Sequence, residues 1–136
     1  MIKKLLIIAL LGSTLYGCAD TKQQEKQLYK EVIALHDSVM AHNGLLMKNK
    51  MKLDTLLTQN LQATTKDSAM LASKSLIAAD EAMNTWMHQF EPDYSGKPHN
   101  EVMKYLEDQK VQIKNVDSLT KTAISLSNTF LLKYKN

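Results

Sequence analysis

The sequence predicts an all-α protein, an elongated antiparallel three-helix bundle that follows a cleaved lipoprotein signal peptide. Three observations lead to this prediction. Apolar residues recur at helical spacing over three long segments. Glycine and proline are scarce, with 4 and 2 residues in a chain of 136, while strong helix formers abound. The first eighteen residues have the order of regions that is typical of an export signal.

The first helix is predicted from about Gln24 to Asn60. Its apolar residues recur at steps of three, four and seven, which is the spacing of one helix face. Gly44 lies inside this segment and costs about 1 kcal/mol relative to alanine, so a broken helix is an alternative to a continuous one. The apolar face comprises Leu28, Val32, Leu35, Val39, Leu46, Leu53 and Leu57.

The second helix is predicted from about Thr65 to Phe90, and the third from about His99 to Tyr134. Residues 91–98 between them contain both prolines and a glycine, which indicates a loop. Short connections of this kind place consecutive helices antiparallel, as in a bundle. The predicted inner faces comprise Ala69, Ala72, Leu76, Ala79, Met83, Trp86, Met87 and Phe90, then Val102, Tyr105, Leu106, Gln109, Ile113, Val116, Thr120, Ala123, Ser127, Phe130 and Tyr134.

The N-terminus has the three regions of a bacterial lipoprotein signal. Two lysines precede an apolar run, residues 5–11, which is far shorter than the ~20 residues of a membrane-spanning helix. A lipobox-like sequence follows, in which Tyr16 replaces the smaller residue that is usual at its position. We expect lipidation of the cysteine and cleavage before it. The matching lipobox residues are Leu15, Gly17 and Cys18.

This signal divides the chain into three parts. Residues 1–17 are the signal peptide, residues 18–27 are the lipidated cysteine with a polar tether, and residues 28–136 are the helical bundle domain. Ala19 follows the cysteine, so the aspartate that retains enteric-type lipoproteins at the inner membrane is missing there. Surface-exported lipoproteins tend to carry an acidic run, of which only Asp20 is present. The expected location is the cell envelope, at the periplasmic face of the outer membrane.

Composition excludes several classes of function. Cys18 is the only cysteine, so its lipidation leaves no thiol for disulfides, thiolate catalysis or a cysteine metal cluster. The formal charge of +3 becomes +1 when Lys3 and Lys4 leave with the signal, since 15 lysines then face 14 acidic residues. The chain has no arginine, which argues against a nucleic-acid partner. The expected partners are the membrane, through the lipid, and another envelope protein.

Two segments resemble a known group of proteins. They are His36-Asp37-Ser38-Val39-Met40 and the segment 79–90, Ala-Asp-Glu-Ala-Met-Asn-Thr-Trp-Met-His-Gln-Phe. Both are similar to small helical lipoproteins of Bacteroidetes-type bacteria, often labelled "viral A-type inclusion protein". The resemblance covers most of the chain after the signal and implies a helical envelope lipoprotein, without implying an activity. Family members often have a proline after the first segment, where this chain has Ala41 and His42.

Methionine and histidine are numerous, with 8 and 4 residues. Met47 and Met51 follow His36 and Met40 within about 60° of one helix face, at ~100° per residue. Thioether and imidazole ligands suit Cu(I), and a Met/His pair can hold haem iron. Core packing is the simpler interpretation, because methionine fills irregular gaps well. The alternative metal ligands are His36, Met40, Met83, Met87 and His88, although no Cys-x-x-Cys-His haem attachment sequence is present.

Polar residues also lie on the predicted apolar faces. Asp80 lies between Leu76 and Met83, and a buried carboxylate is costly unless it is paired. We therefore expect a structural seam in which Asp80 meets His36 or Lys50 across the helices and fixes their register. The sequence contains no catalytic motif, neither a glycine-rich phosphate loop nor a nucleophile elbow. A non-enzymatic interaction or scaffold module is the function expected first, and copper or haem binding is the alternative.

Overall fold

The computed structural model describes residues 16–134, and their side chains from residue 20 onward. The described part contains three helices and no strand: α1 (Tyr16–Leu57), α2 (Ala63–Gln89) and α3 (His99–Lys133). Cross-helix contacts pair Glu25 with His99 and Asn49 with Ser127, so α1 and α3 run parallel. The intervening helix α2 is antiparallel to both. The all-α three-helix bundle is therefore confirmed.

Helix α1 is longer than predicted at its N-terminal side. It begins at Tyr16, so the segment expected to be a polar tether, residues 20–27, is helical. Glu25 within that segment is buried, because it lies one turn before the core residue Leu28 and faces α3. Helix α1 also runs without interruption through Gly44, and the alternative of a broken helix is wrong. Leu15 of the predicted lipobox lies outside the described residues, and Gly17 and Cys18 are described only as helical backbone.

The core follows steps of three and four residues along each helix. This spacing keeps one stripe of each helix facing its neighbours, as in a coiled coil. Three clusters succeed one another along the bundle. The N-terminal cluster is Leu28, Val102 and Leu106; the middle cluster is Val32, Val39, Met83, Trp86, Ile113 and Val116; the distal cluster is Leu46, Leu53, Ala69, Ala72, Leu76, Ala79, Ala123 and Ile124.

The predicted inner faces of α2 and α3 are confirmed with few exceptions. Met87 is 36% exposed, because it follows Trp86 by one residue and so lies at the edge of the buried stripe. Ser73 and Ile124 are buried although the predicted stripes omitted them. Each lies one residue beyond a buried alanine of its stripe, Ala72 and Ala123.

Tyr105 closes the loop between α2 and α3. Its hydroxyl accepts a hydrogen bond from the backbone N–H of Glu91 at 2.7 Å and lies 3.2 Å from the carbonyl oxygen of the same residue. Asp93 accepts hydrogen bonds from the backbone and side chain of Ser95, which forms the turn. Gly96 follows with a φ of 80°, a left-handed conformation that favours glycine. The loop is therefore tied to the first turns of α3.

The two ends of the bundle differ in composition. The N-terminal end holds the start of α1, the end of α2 and the start of α3, and it carries the aromatic residues Tyr29, Phe90, Tyr94 and Tyr105. The distal end holds Leu57, Ala63 and Lys133, where α1 ends, α2 begins and α3 ends. Within the described part, no helix is long and apolar enough to cross a membrane.

Candidate functional site

The expected polar seam does not form. Asp80 makes no ion pair in the described part of the chain, and its carboxylate accepts a hydrogen bond from Asn84 at 3.3 Å. Lys50 instead pairs with Asp54 at 2.6 Å, one turn along the same helix. His36 lies with Nδ1 3.0 Å from Oδ1 of its neighbour Asp37. The prediction of an Asp80 pair with His36 or Lys50 is therefore wrong.

Asn49 occupies the buried seam in place of those residues. It is 2% exposed, and its amide donates hydrogen bonds of 2.8 Å to Ser127 and to Asn128 on α3. The Ser127 hydroxyl donates in turn to the carbonyl oxygen of Ile124. Asn49 lies three residues after Leu46 and four before Leu53, so the core spacing itself could have located it. Lys50, the predicted residue, is one position away and lies at the edge of the stripe.

A second buried polar group lies at the N-terminal end. Glu25 is 3% exposed, and its two carboxylate oxygens contact different partners. Nδ1 of His99 lies 2.9 Å from one oxygen, and the Lys22 ammonium donates to the other at 3.2 Å. The hydrogen bond with His99, aided by Lys22, holds the pKa of Glu25 below its ordinary value, although burial acts in the opposite direction. This contact ties α1 to the start of α3.

Three of the five predicted metal ligands line one cavity between α1 and α2. Met40 belongs to α1, while Met83 and Met87 lie one turn apart on α2. The cavity has a volume of about 150 Å³. Met83 is 6% exposed and forms the inner wall, whereas Met40 and Met87 are 39% and 36% exposed. The other lining residues are Val39, Asn43, Leu46, Ala79, Asp80, Asn84 and Thr120.

The two predicted histidine ligands lie outside this cavity. The His36 ring is 5.8 Å from the Trp86 ring, centroid to centroid, and contacts Asp37 as described. His88 is exposed, and its Nδ1 lies 2.8 Å from the carbonyl oxygen of Asn84 in its own helix. The cavity therefore brings together three of the five predicted ligands, all of them methionines, and neither of the histidines. Residues 16–134 contain no group of three or more His, Cys, Asp or Glu side chains that could hold a metal ion.

Thr120 adds a polar atom to the same cavity. It is 1% exposed, lies on α3, and its hydroxyl has no hydrogen-bond partner among the described residues. A buried polar group without a partner costs free energy, so each such group needs an explanation. The same applies to Trp86 Nε1, Gln109 Oε1 and Asp117 Oδ1, but none of these residues lines the cavity.

Two apolar grooves flank the last turns of α3 at the distal end. The first lies between α1 and α3, has a volume of about 520 Å³, and is lined by Leu56, Leu131 and Leu132 together with polar residues. The second lies between α2 and α3, has a volume of about 420 Å³, and is lined by Leu71, Leu126 and Phe130 among others. Tyr134 lines both grooves, and its ring stacks on Phe130 at 4.9 Å.

Large apolar side chains are unusually exposed along these grooves. Leu132 is 67% exposed, Leu71 is 60%, Tyr134 is 42% and Leu126 is 38%. Exposed apolar residues that lie singly on a surface are common, but groups of them mark interaction sites. Sequence reasoning missed these grooves because it assigned Phe130 and Tyr134 to the core. Ser127 is the last buried residue of α3. Beyond it Phe130 is only partly buried against the distal cluster, and Tyr134 is exposed.

Comparison with known proteins adds no assignment to this description. No protein-family model, no curated protein and no solved structure matches the chain. The geometry of the described residues is therefore the basis for any functional proposal.

Proposed function

We propose that this protein is a cell-envelope lipoprotein, anchored through lipidated Cys18, that acts as a non-enzymatic interaction module. The observation that carries the proposal is the pair of apolar grooves at the distal end, opposite the end at which α1 begins. The lipobox-like sequence before Cys18 and the resemblance to small helical lipoproteins support the anchor. The absence of an acidic run after the cysteine supports the periplasmic face of the outer membrane.

The length of α1 separates the expected lipid anchor from the distal grooves. Cleavage before Cys18 would leave residues 18–57 of α1, which extend roughly 60 Å at about 1.5 Å per residue. A lipid at Cys18 would therefore hold the grooves far from the membrane surface, where another envelope protein can reach them. The N-terminal cluster joins α1 to α3, and the middle and distal clusters join α1 to both other helices, so the bundle is a stiff spacer rather than a flexible tether.

The distal grooves have the chemistry of a protein-binding surface. Leucine and aromatic side chains form their walls, and polar residues such as Asn128 and Thr129 form their edges. An apolar centre with a polar rim is the usual anatomy of a protein interface. Tyr134 and Phe130 are large and stacked, so they lose little conformational freedom on binding. We expect the partner to insert apolar side chains beside the end of α3.

The test is site-specific photo-crosslinking in the native envelope. A photoreactive residue at Leu132, which is 67% exposed, is expected to give a discrete crosslinked adduct with another envelope protein. The matched control is Val111, which is 60% exposed in the middle of α3 and lines neither groove. Equal adducts from both positions, or none from Leu132, would refute a distal binding surface.

The anchor is tested separately. Cys18→Ser is expected to abolish incorporation of labelled fatty acid and to leave the unprocessed precursor. Continued labelling of the variant would refute lipidation at Cys18. Because this readout does not depend on a partner, failure of the anchor can be distinguished from failure of the interaction surface.

A further inference from the structure

We propose that the cavity between α1 and α2 is a binding site for monovalent copper, with Met40, Met83 and Met87 as its thioether ligands. All three methionines line this one cavity, and they come from both helices. The inference goes beyond the proposed interaction module, since it involves neither the lipid anchor nor the distal grooves.

The donor set determines which ion the cavity can take. Thioether sulfur is a soft ligand that favours Cu(I), whereas Zn²⁺ needs His, Cys or carboxylate ligands, and Cu²⁺ favours nitrogen and oxygen. His36 and His88 lie outside the cavity, and the described residues hold no His/Cys/Asp/Glu group of three. The three methionines therefore select for a soft monovalent ion over the divalent metals.

Charge and polarity in the cavity fit a single positive charge. Asp80 lines the same cavity, and no lysine does. Three thioethers are neutral, so a nearby carboxylate offsets the cost of transferring the cation from water. The buried hydroxyl of Thr120, which has no partner in the part of the chain that the structure describes, supplies a further oxygen at the α3 wall. Asn43 and Asn84 add amide groups near the same opening.

Exposure of the ligands gives the ion a route of entry. Met40 and Met87 are 39% and 36% exposed, so both can meet an ion at the surface, whereas Met83 is 6% exposed and lies within. Met83 and Met87 are four residues apart on one helix, and side chains at this spacing are neighbours. Methionine side chains are flexible enough to close around an ion without movement of the helices.

The test uses the full chain in detergent, with Cu(I) held reduced and with Ag(I) as a soft ion that does not change its oxidation state. Titration against a chromogenic Cu(I) chelator is expected to give one ion per chain, and X-ray absorption is expected to show sulfur neighbours of the copper. The double substitution Met83→Leu with Met87→Leu is expected to weaken Cu(I) binding at least tenfold, because leucine keeps the size and removes the sulfur.

The matched control is Met51→Leu with Met70→Leu, two methionines that lie outside the cavity and are 67% and 38% exposed. Trp86 fluorescence shows whether each variant is folded, since it is the only tryptophan and is buried. Equal loss of Cu(I) binding in both double variants would overturn the proposal. So would the absence of binding to the folded wild type, or a copper spectrum dominated by nitrogen neighbours.

Discussion

At the residue scale, the buried polar groups determine how the helices register. Asn49 is held by Ser127 and Asn128 in the distal half, and Glu25 by His99 and Lys22 at the N-terminal end. Both contacts join α1 to α3, so a slip of one helix turn between these helices would leave both polar groups buried without partners. Such a penalty favours one register over its alternatives, as single polar residues do in coiled coils.

The Glu25 contact predicts a dependence of stability on pH. Its hydrogen bond with His99 lowers the pKa of Glu25 in the folded chain below the value of 4.5 expected when unfolded. The contribution of this contact to the stability of the folded chain is therefore complete above pH 4.5, and it is lost as the pH falls through the folded-state pKa of Glu25. Wild type is expected to melt at a higher temperature than Glu25→Gln at pH 7, and the difference is expected to shrink on acidification.

Trp86 fluorescence of the detergent-solubilised full chain measures both melting curves between pH 7 and pH 3. The groups that face the carboxylate are Lys22, His99 and Tyr94, and all three are retained in the variant. Glu81→Gln, at an exposed position of α2, is the control and is expected to melt with the wild type at each pH. A difference between wild type and Glu25→Gln that stays constant down to pH 3 would contradict the assignment.

Sequence reasoning located the apolar core and the polar members that α3 contributes to it, Gln109, Thr120 and Ser127, but it missed those on α1 and α2. Val32, Val39 and Leu46 were identified because apolar residues at steps of seven stand out from their surroundings. Asn49 and Glu25 continue the same spacing. A polar residue at such a position is nevertheless assigned to the surface, unless the spacing of the neighbouring apolar residues is continued through it. The partner of Asp80 could not be inferred either, because a small rotation of the helix about its axis changes which side chains meet at the edge of the buried stripe.

At the element scale, helix periodicity predicted all three helices, with errors confined to their ends. Helix α1 begins at Tyr16 rather than near Gln24, since the segment that looked like a polar tether buries Glu25 against α3. Helix α3 was predicted to within one residue, because the loop with both prolines ends at Pro98, directly before its first residue. The open question from sequence was Gly44, and α1 passes through it without a break.

The two described glycines beyond the first turn of α1 offer a matched prediction. A Cβ added at Gly44 or at Gly96 would meet no atom within 4 Å, so neither substitution is limited by space. Gly44→Ala is expected to stabilise the protein by about 0.5–1 kcal/mol, because alanine restricts the unfolded chain and favours the helix. Gly96→Ala is expected to destabilise it by about 1–2 kcal/mol, because its φ of 80° strains an L-residue.

Urea unfolding of the two variants, followed by far-UV circular dichroism, gives both free energies of unfolding. The wild type is the common reference, and the opposite signs make each variant a control for the other. A loss of stability in Gly44→Ala would indicate that α1 bends at this residue in solution, contrary to the continuous helix. A neutral Gly96→Ala would indicate that the loop after α2 does not need the left-handed conformation.

At the scale of the whole molecule, the bundle connects its two ends through shared helices. Helices α1 and α3 contribute to the N-terminal, middle and distal clusters alike, and α2 contributes to the middle and distal ones. The distal cluster contains four alanines, so it buries less apolar surface per residue than the middle cluster around Trp86 and Ile113. Its stability therefore depends on the continuity of all three helices with the middle cluster.

This continuity predicts that the bundle unfolds as one unit, as small single domains usually do. Leu53→Ala removes a fully buried side chain from the distal cluster and is expected to cost about 2–5 kcal/mol. Trp86 belongs to the middle cluster, yet its fluorescence transition should shift by as much as the circular dichroism transition, because the clusters melt together.

The control is Leu45→Ala, at a 40% exposed position of α1, for which both shifts should be small. If Leu53→Ala moved the dichroism transition while Trp86 kept its wild-type midpoint, the distal end would melt alone, and the bundle would not be the stiff spacer that presentation of the distal grooves requires.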